Sequence, residues 1–298
     1  PLTPRVQVNR AWAEFFGRGI VASEEDFGTQ AEEPTHPELL DWLAIEFRDR
    51  GWSQKLVHRR IVESATYRQS SKHRGDLDAI DPRNLLLARA PRLRLTAELI
   101  RDQALAVSDQ TSAKMFGPPV YPPQPEGVWR VTGAVDNTYR TSTGDDGYRR
   151  GVYTVWRRSS PYPSFVNFDA PDRSACTVKR PLSNTPLQAL TLQNDPVYIE
   201  LAKALADRII AETADQTSDE RFIFAFRTVL ARQPSPNELA ALRAAHEEAH
   251  DRYRGNAKAA EQVVGNRNLP SNATLADWAA WFNVAQVLLN LDETITKN

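Results

Sequence analysis

Two carboxylates in the middle of the chain have a spacing that suits acid/base chemistry. Glu98 and Asp102 are four residues apart on a helix predicted over residues 96–108, so they share one helix face. Like charges at that spacing repel, and nearby cations must offset them. The pattern predicts either a possible acid/base or ion site, or a structural salt-bridge network, and the second alternative is favoured. The cations nearest in sequence are Arg92, Arg94 and Arg101.

A second group of chemically capable residues fills the segment 148–196, where arginines alternate with aromatic residues. Guanidinium groups bind carboxylate, sulfate or phosphate through two parallel hydrogen bonds and stack on aromatic rings. Two helix starts, at Asn184 and Asp195, would add anion-attracting N-termini. The alternative is that its polar residues only satisfy backbone groups at helix joints. The candidate ligand-binding residues are Arg149, Arg150, Arg157, Arg158, Asp169, Arg173, Arg180, Asn184, Gln188 and Asn194.

The single cysteine, Cys176, lies in the same segment between basic residues. Cations lower the pKa of a thiol, which would favour a reactive thiolate. Because no histidine is near in sequence to act as its base, a buried and inert cysteine is the preferred interpretation. One cysteine excludes an internal disulfide and any metal site made of several cysteines, and no metal site is predicted.

The elements around these residues are mostly helices. Helix starts are marked by capping-box pairs, Thr35 with Glu38, Thr217 with Glu220, and Ser235 with Glu238. We therefore predict a mainly α fold, a multi-helix bundle-like body with a small β-ribbon insertion. The strands of the ribbon would be Val128–Val135 and Tyr148–Trp156, which are rich in β-branched and aromatic residues.

The whole chain, 1–298, is predicted to be one domain in three parts. An N-terminal helical part covers residues 1–116, and a C-terminal helical part covers residues 184–298. Between them, residues 117–183 hold the extended and ribbon-forming stretch together with most of the arginine–aromatic segment.

Composition limits the class of protein. The 298 residues are 41% hydrophobic and 25% charged, which is ordinary for a globular chain that buries a sizeable core. A net charge of −1 argues against a nucleic-acid partner or an anionic membrane surface. No apolar run reaches the roughly 20 residues of a membrane span. The chain begins at Pro1 without methionine, so we expect a fragment or a processed product.

Several motifs occur in a fixed order along the chain: PLTPRVQVNRAW, FFGRGIV, PTHPELLDWLA, WSQKLVHRRIV, DPRNLLLARAPRLRL, YRRGVYTVWRR, FDAPDRSACTVKR and NTPLQALTLQNDP. Together they resemble the planctomycete cytochrome-associated domain of unknown function, often called the PSD domain, from Pro1 to about Asn290. The resemblance implies a cell-envelope location, periplasmic or extracellular, in a large protein. It also implies a c-type cytochrome or companion domain as a partner within the same parent. This chain has no C-x-x-C-H haem attachment motif, so no cofactor is expected in it, and haem would belong to a missing N-terminal part.

Two functions from different classes remain open. The first, which we favour, is a non-enzymatic binding or assembly module that recognises an anionic or glycan ligand or docks a neighbouring c-type cytochrome module. The second is a polysaccharide-active hydrolase or lyase that uses paired carboxylates, either Glu98 with Asp102 or Asp169 with Asp172. No set of nucleophile, base and orienting residue can be assembled from the sequence, so whether the protein is an enzyme stays uncertain.

Overall fold

The computed structural model describes residues 2–77, 79–129, 138–270 and 272–297. Within them the fold is mainly α with one small antiparallel ribbon, as predicted. The helices are α1 (Leu2–Phe16), α2 (Pro37–Asp49), α3 (Gln54–Glu63), α4 (Ala97–Val107), α5 (Pro163–Asn167), α6 (Pro186–Asn194), α7 (Pro196–Glu212), α8 (Ser218–Leu230), α9 (Pro236–Arg254), α10 (Ala257–Val264), α11 (Leu275–Leu289) and α12 (Asp292–Ile295). The strands are β1 (Leu93–Arg94) and β2 (Thr296–Lys297), and Leu93 pairs with Lys297.

The chain forms two compact units. Unit 1 consists of Pro1–Arg94, Thr177–Lys179 and Thr296–Asn298, and unit 2 consists of Leu95–Cys176 and Arg180–Ile295.

Unit 1 is built on three helices that place their apolar stripes against one another. Val8, Trp12 and Phe16 recur at helical spacing on α1 and are buried against α2 and α3. Ser53 begins α3 as its N-cap, because its side chain accepts a hydrogen bond from the N–H of Leu56. The predicted capping box of Thr35 with Glu38 is wrong. His36 is the N-cap of α2 without a side-chain bond, and the Thr35 hydroxyl donates to the carbonyl of Ile20 instead.

Unit 2 is organised around α11, which packs mainly on α9 and α7. Trp278, Trp281 and Leu288 are among its nearly fully buried residues, and a helix that is apolar on most sides must be covered on most sides. The capping boxes Thr217 with Glu220 and Ser235 with Glu238 are both present, which confirms the predicted starts of α8 and α9.

The predicted position of the ribbon is wrong. The stretch Tyr148–Trp156 forms no regular strand. It contains the end of a 3₁₀ turn over Gly144–Tyr148, a second 3₁₀ turn over Gly151–Tyr153, and an isolated bridge between Val120 and Thr154. A Cβ atom on Gly151 would lie 2.8 Å from the Cα of Glu98, so this backbone packs directly on α4. Residues 130–135 of the other predicted strand lie outside the described residues.

Candidate functional site

The predicted carboxylate Glu98 forms an ion pair within unit 2. Both guanidinium nitrogens Nη1 and Nη2 of Arg180 donate to its carboxylate, at 2.7 and 3.1 Å. Burial raises the pKa of Glu98, but the Arg180 hydrogen bonds and positive charge outweigh this, and the pKa is lowered. Glu98 is therefore held as an anion with its oxygens engaged, which suits a structural role better than proton transfer.

Asp102, the second member of the pair, has a different environment. Its Oδ1 accepts the N–H of Gly151 at 2.5 Å, which anchors the 3₁₀ turn on α4. Burial raises its pKa, and the N–H of Gly151 and the charges of Arg101 and Arg150 reduce this effect without reversing it. The pair thus divides into one ion-paired and one backbone-bound carboxylate.

Four of the predicted ligand-binding arginines meet groups of unit 2 itself. Arg149 is fully buried, donates to the carbonyls of Phe116 and Pro118, and lies 3.7 Å from the centroid of the Tyr153 ring. The other three engage aromatic or sulfur groups, and these contacts are Arg150 with the sulfur of Met115, Arg157 with the ring of Trp129, and Arg173 with the ring of Trp156. Arg158 is exposed. Cation–π and backbone contacts therefore use most of these guanidinium groups internally.

Of the predicted polar residues, Asp169 and Gln188 meet at Ser183, and Asn184 and Asn194 lie apart from them. Asp169 accepts the N–H and the hydroxyl of Ser183, and the amide of Gln188 donates to that hydroxyl at 3.2 Å. Asn194 donates to the carbonyl of Leu190 within its own helix. Asn184 is exposed and is not the cap of α6, because Thr185 occupies that position without a side-chain bond.

Cys176 is exposed, so the expectation of a buried cysteine is wrong. Its segment has no regular secondary structure. It runs along the surface because it holds few apolar side chains that could be buried in the core.

The structure reveals a different concentration of arginines, in unit 1. A cavity of about 290 Å³ opens there beside the stacked rings of Trp12 and Phe16, whose centroids are 4.3 Å apart. Among the residues that the structure describes, its charged lining residues are all cationic, and they are Arg18, Arg83, Arg89 and Arg92. We call this the arginine cavity.

The wall that carries Arg83 and Arg89 is a loop held by its own side chains. Asp81 accepts the N–H groups of Leu85 and Leu86 at 2.8 and 2.7 Å. Asn84 donates to the carbonyl of Arg89 at 2.8 Å and accepts its N–H at 3.3 Å. Such side-chain bonds fix a turn of irregular geometry. Asn84 and Leu87 have φ angles of 53° and 54°, a left-handed conformation that costs free energy in residues other than glycine and persists where the surrounding structure holds it.

Another part of the lining carries Arg18 and is fixed by a buried asparagine. Asn9, on α1, exchanges two hydrogen bonds of 2.9 Å with the backbone of Val21. Gly19 passes so close that a Cβ atom there would lie 2.4 Å from the amide nitrogen of Asn9, so only glycine fits. Arg18 donates to Glu32 at 2.6 Å, while its Nε is buried and has no hydrogen-bond partner.

This arrangement creates a local excess of positive charge on preorganised backbone. Arginine cannot lose its proton in a protein, so the charge persists at any ordinary pH. In the described part of the chain, the side chains of Arg83 and Arg89 have no hydrogen bond or ion pair. The arginine cavity can therefore accept carboxylate, sulfate or phosphate groups.

This site was not predicted from the sequence. The motif DPRNLLLAR carried no predicted role, and Arg92 was predicted only as a cation near Glu98 and Asp102. The available signal was the Asp81-x-x-Asn84 spacing, because Asp and Asn side chains that bond backbone N–H groups indicate an ordered loop.

A family model described as a protein of unknown function, DUF1553 (PSD1), matches residues 1–246. The chain belongs to the PSD1 family. The PSD1 match includes all the described residues that line the arginine cavity, and it ends within α9. No curated protein and no solved structure matches the chain.

Two further properties of the PSD1 chain concern membranes and metals. Among the helices that the structure describes, none combines the length and apolar character needed to cross a membrane. The same residues contain no group of three or more histidine, cysteine or acidic side chains placed to hold a metal ion.

Proposed function

We propose that this PSD1 chain is a non-enzymatic binding module that takes an anionic ligand, a carboxylated or sulfated glycan, in the arginine cavity of unit 1. The observation that carries the proposal is a cavity with four arginines and no acidic residue among its described lining residues. The positive charge of the cavity favours an anion. Its walls are already ordered by hydrogen bonds, so binding loses less conformational entropy.

The geometry favours a sugar acid over a simple ion. A cavity of about 290 Å³ exceeds the needs of one inorganic anion and is close to the lower end of small-molecule sites, roughly 300 Å³. Trp12 and Phe16 are each 5% exposed and add little apolar surface, so binding rests on the acidic groups of the sugar, which can meet the guanidinium forks of Arg83 and Arg89. The ligand class we propose is an oligosaccharide with one or two acidic groups per ring.

The test is calorimetric titration with trigalacturonic acid and with its fully methyl-esterified form, which has the same rings without charge. We expect binding of the acid alone, with an affinity that falls as salt is raised. The double variant Arg83→Ala/Arg89→Ala removes two charge-assisted contacts, each worth about 1.5–3 kcal/mol, and should weaken binding at least tenfold.

A matched control removes two exposed or weakly engaged arginines from unit 2. The double variant Arg157→Ala/Arg158→Ala changes net charge by the same amount and should leave the affinity within twofold. Equal affinities for the acid and its ester, or equal weakening by the two double variants, would contradict a specific site.

The hydrolase or lyase alternative has less support. Its first carboxylate pair requires Glu98 to work with Asp102, and both oxygens of Glu98 are engaged by Arg180. In its second pair, Asp169 accepts hydrogen bonds from Ser183 and Asp172 accepts them from Ser174. Turnover of trigalacturonate that is lost in Asp102→Asn but kept in Arg83→Ala/Arg89→Ala would restore it.

The setting of the module is also a proposal. The resemblance to planctomycete cytochrome-associated domains supports a location in the cell envelope, periplasmic or extracellular, and a c-type cytochrome module as a neighbour. Localisation of the parent protein by cell fractionation tests the first point. Binding between the purified chain and the cytochrome part of that parent tests the second.

A further inference from the structure

The arginine cavity contains one arginine that its internal partner engages only in part. Arg18 lines the cavity, and its Nη2 donates to the Oε2 of Glu32 at 2.6 Å. Its Nε is buried and has no hydrogen-bond partner in the described part of the chain. The N–H of Nε and one N–H of Nη2 point to the same side of a guanidinium, where one carboxylate can accept both. Glu32 accepts from only one of these two nitrogens, so a carboxylate that accepts from both makes one hydrogen bond more.

The hold of Glu32 on Arg18 is weak. The side chain of Glu32 is 67% exposed and that of Arg18 is 30% exposed, so water screens their charges. Among the described residues, the bond to Arg18 is the only hydrogen bond of the Glu32 side chain. Ordering a long side chain for a single bond also costs conformational entropy. An incoming anion can therefore displace Glu32 at a small cost in free energy.

The backbone beside Glu32 is fixed, so only its side chain must move. Ala31 packs on the apolar core of unit 1. Thr35, three residues further on, lines the cavity, and its N–H and its hydroxyl both donate to the carbonyl of Ile20. These contacts keep the carboxylate of Glu32 near Arg18 at a high effective concentration. Glu32 therefore competes with any other anion for Arg18.

We infer that Glu32 is a specificity-determining residue of the arginine cavity, an internal carboxylate that occupies Arg18 until an acidic group of the ligand displaces it. This inference rests on the function proposed above. A neutral sugar cannot replace the charge of Glu32 at Arg18 and would leave the guanidinium without compensation. An acidic sugar replaces that charge and adds the hydrogen bond to Nε. Glu32 thus lowers the affinity for every ligand that uses Arg18, and lowers it most for neutral ligands.

The test compares the parent protein with Glu32→Gln by calorimetric titration with trigalacturonic acid. Glutamine keeps the size of the side chain and removes the charge that competes for Arg18. We expect the affinity to rise about three- to fivefold, because an exposed ion pair no longer has to be broken. The direction of the change separates competition from a structural role, since replacing a residue that only supports the cavity would weaken binding.

Two further variants localise the effect. Glu33→Gln removes the same charge from the neighbouring exposed residue and should change the affinity by less than about 1.5-fold, because solvent and salt screen a charge that touches no cavity residue. In an Arg18→Gln background, which lacks the group that Glu32 occupies, the added change Glu32→Gln should leave the affinity unaltered.

The outcomes distinguish this inference from the proposed function. If the parent binds trigalacturonate and Glu32→Gln binds it equally or more weakly, the inference is overturned and the proposed function stands. An equal rise in Glu33→Gln also overturns it, because any lost negative charge would then have the same effect. Binding by Glu32→Gln alone supports it. Absence of binding in both proteins overturns the proposed function and this inference together.

Discussion

Arginines that lie near aromatic rings have different surroundings in the two units. In unit 2, Arg149 and Arg180 end on backbone carbonyls and on Glu98. In unit 1, Arg83 and Arg89 line an open cavity, on a loop whose other polar groups bond to one another. The difference shows that a cluster of arginines and aromatic residues in the sequence indicates only that guanidinium groups need partners. Whether the partner is internal or a ligand depends on what the fold places opposite each guanidinium.

The largest expected change in stability comes from substituting Arg149, which tests whether the arginines of unit 2 are structural. Arg149→Ala removes a fully buried side chain together with its hydrogen bonds to Phe116 and Pro118. We expect the free energy of unfolding to fall by about 3–4 kcal/mol, because a cavity and unsatisfied carbonyls remain. Urea denaturation measures it. The control is Arg158→Ala, an exposed arginine of the same segment, which should change stability by about 0.5 kcal/mol or less.

The next effect concerns pH and the interior of unit 2. Burial raises the pKa of Asp195 to about 6, while the N–H of Val197 and the charge of Arg101 act in the opposite direction. A carboxyl whose folded pKa is raised contributes stability that is present below its unfolded pKa of about 4 and is lost as pH rises toward 6. Unfolding free energies between pH 4 and 7 should show this loss, on the order of 2–3 kcal/mol. Asp195→Asn should flatten the curve, and an unchanged curve would show that Asp195 titrates normally.

A smaller effect tests whether the Glu98–Arg180 pair is structural. Its side chains are 20% and 34% exposed, so solvent screens the interaction in part. A double-mutant cycle with Glu98→Gln and Arg180→Ala should give a coupling energy of about 1–2 kcal/mol. Because the pKa of Glu98 is lowered, this contribution is present above its ordinary pKa and disappears as pH falls. A coupling near zero at pH 7 would leave Arg180 available for a ligand.

The smallest effect is expected in the arginine cavity. Arg83 is exposed and has no partner among the described residues, so Arg83→Ala should change the free energy of unfolding by about 0.5 kcal/mol or less while it weakens ligand binding. Asn84→Ala, which removes the bonds to the backbone of Arg89, should weaken binding without removing any charge. A large stability loss in Arg83→Ala would place Arg83 with the structural arginines of unit 2.

Local patterns in the sequence predicted the helical class and many helix starts. The capping boxes at Thr217 and Ser235 and the cap at Asp195 are present because a cap needs only neighbours within three residues. The same locality explains the apolar stripe of α1. It also explains why the strand predicted over Tyr148–Trp156 is wrong. The β-type composition of that stretch competes with the close packing of Gly151 on α4, a contact between residues 53 positions apart in sequence.

The sequence by itself determined that this chain is helical, that its charges balance, and that arginines outnumber their nearby acids in several motifs. Only the tertiary structure decided which of those arginines have internal partners. Arg180 meets Glu98 across 82 positions of sequence, and Arg149 meets Phe116 across 33. A guanidinium is stabilised by whichever acceptor the fold brings within hydrogen-bond distance, and long-range packing sets that distance. The arginine cavity exists because no acceptor of unit 1 was brought to Arg83 and Arg89 in the described part of the chain.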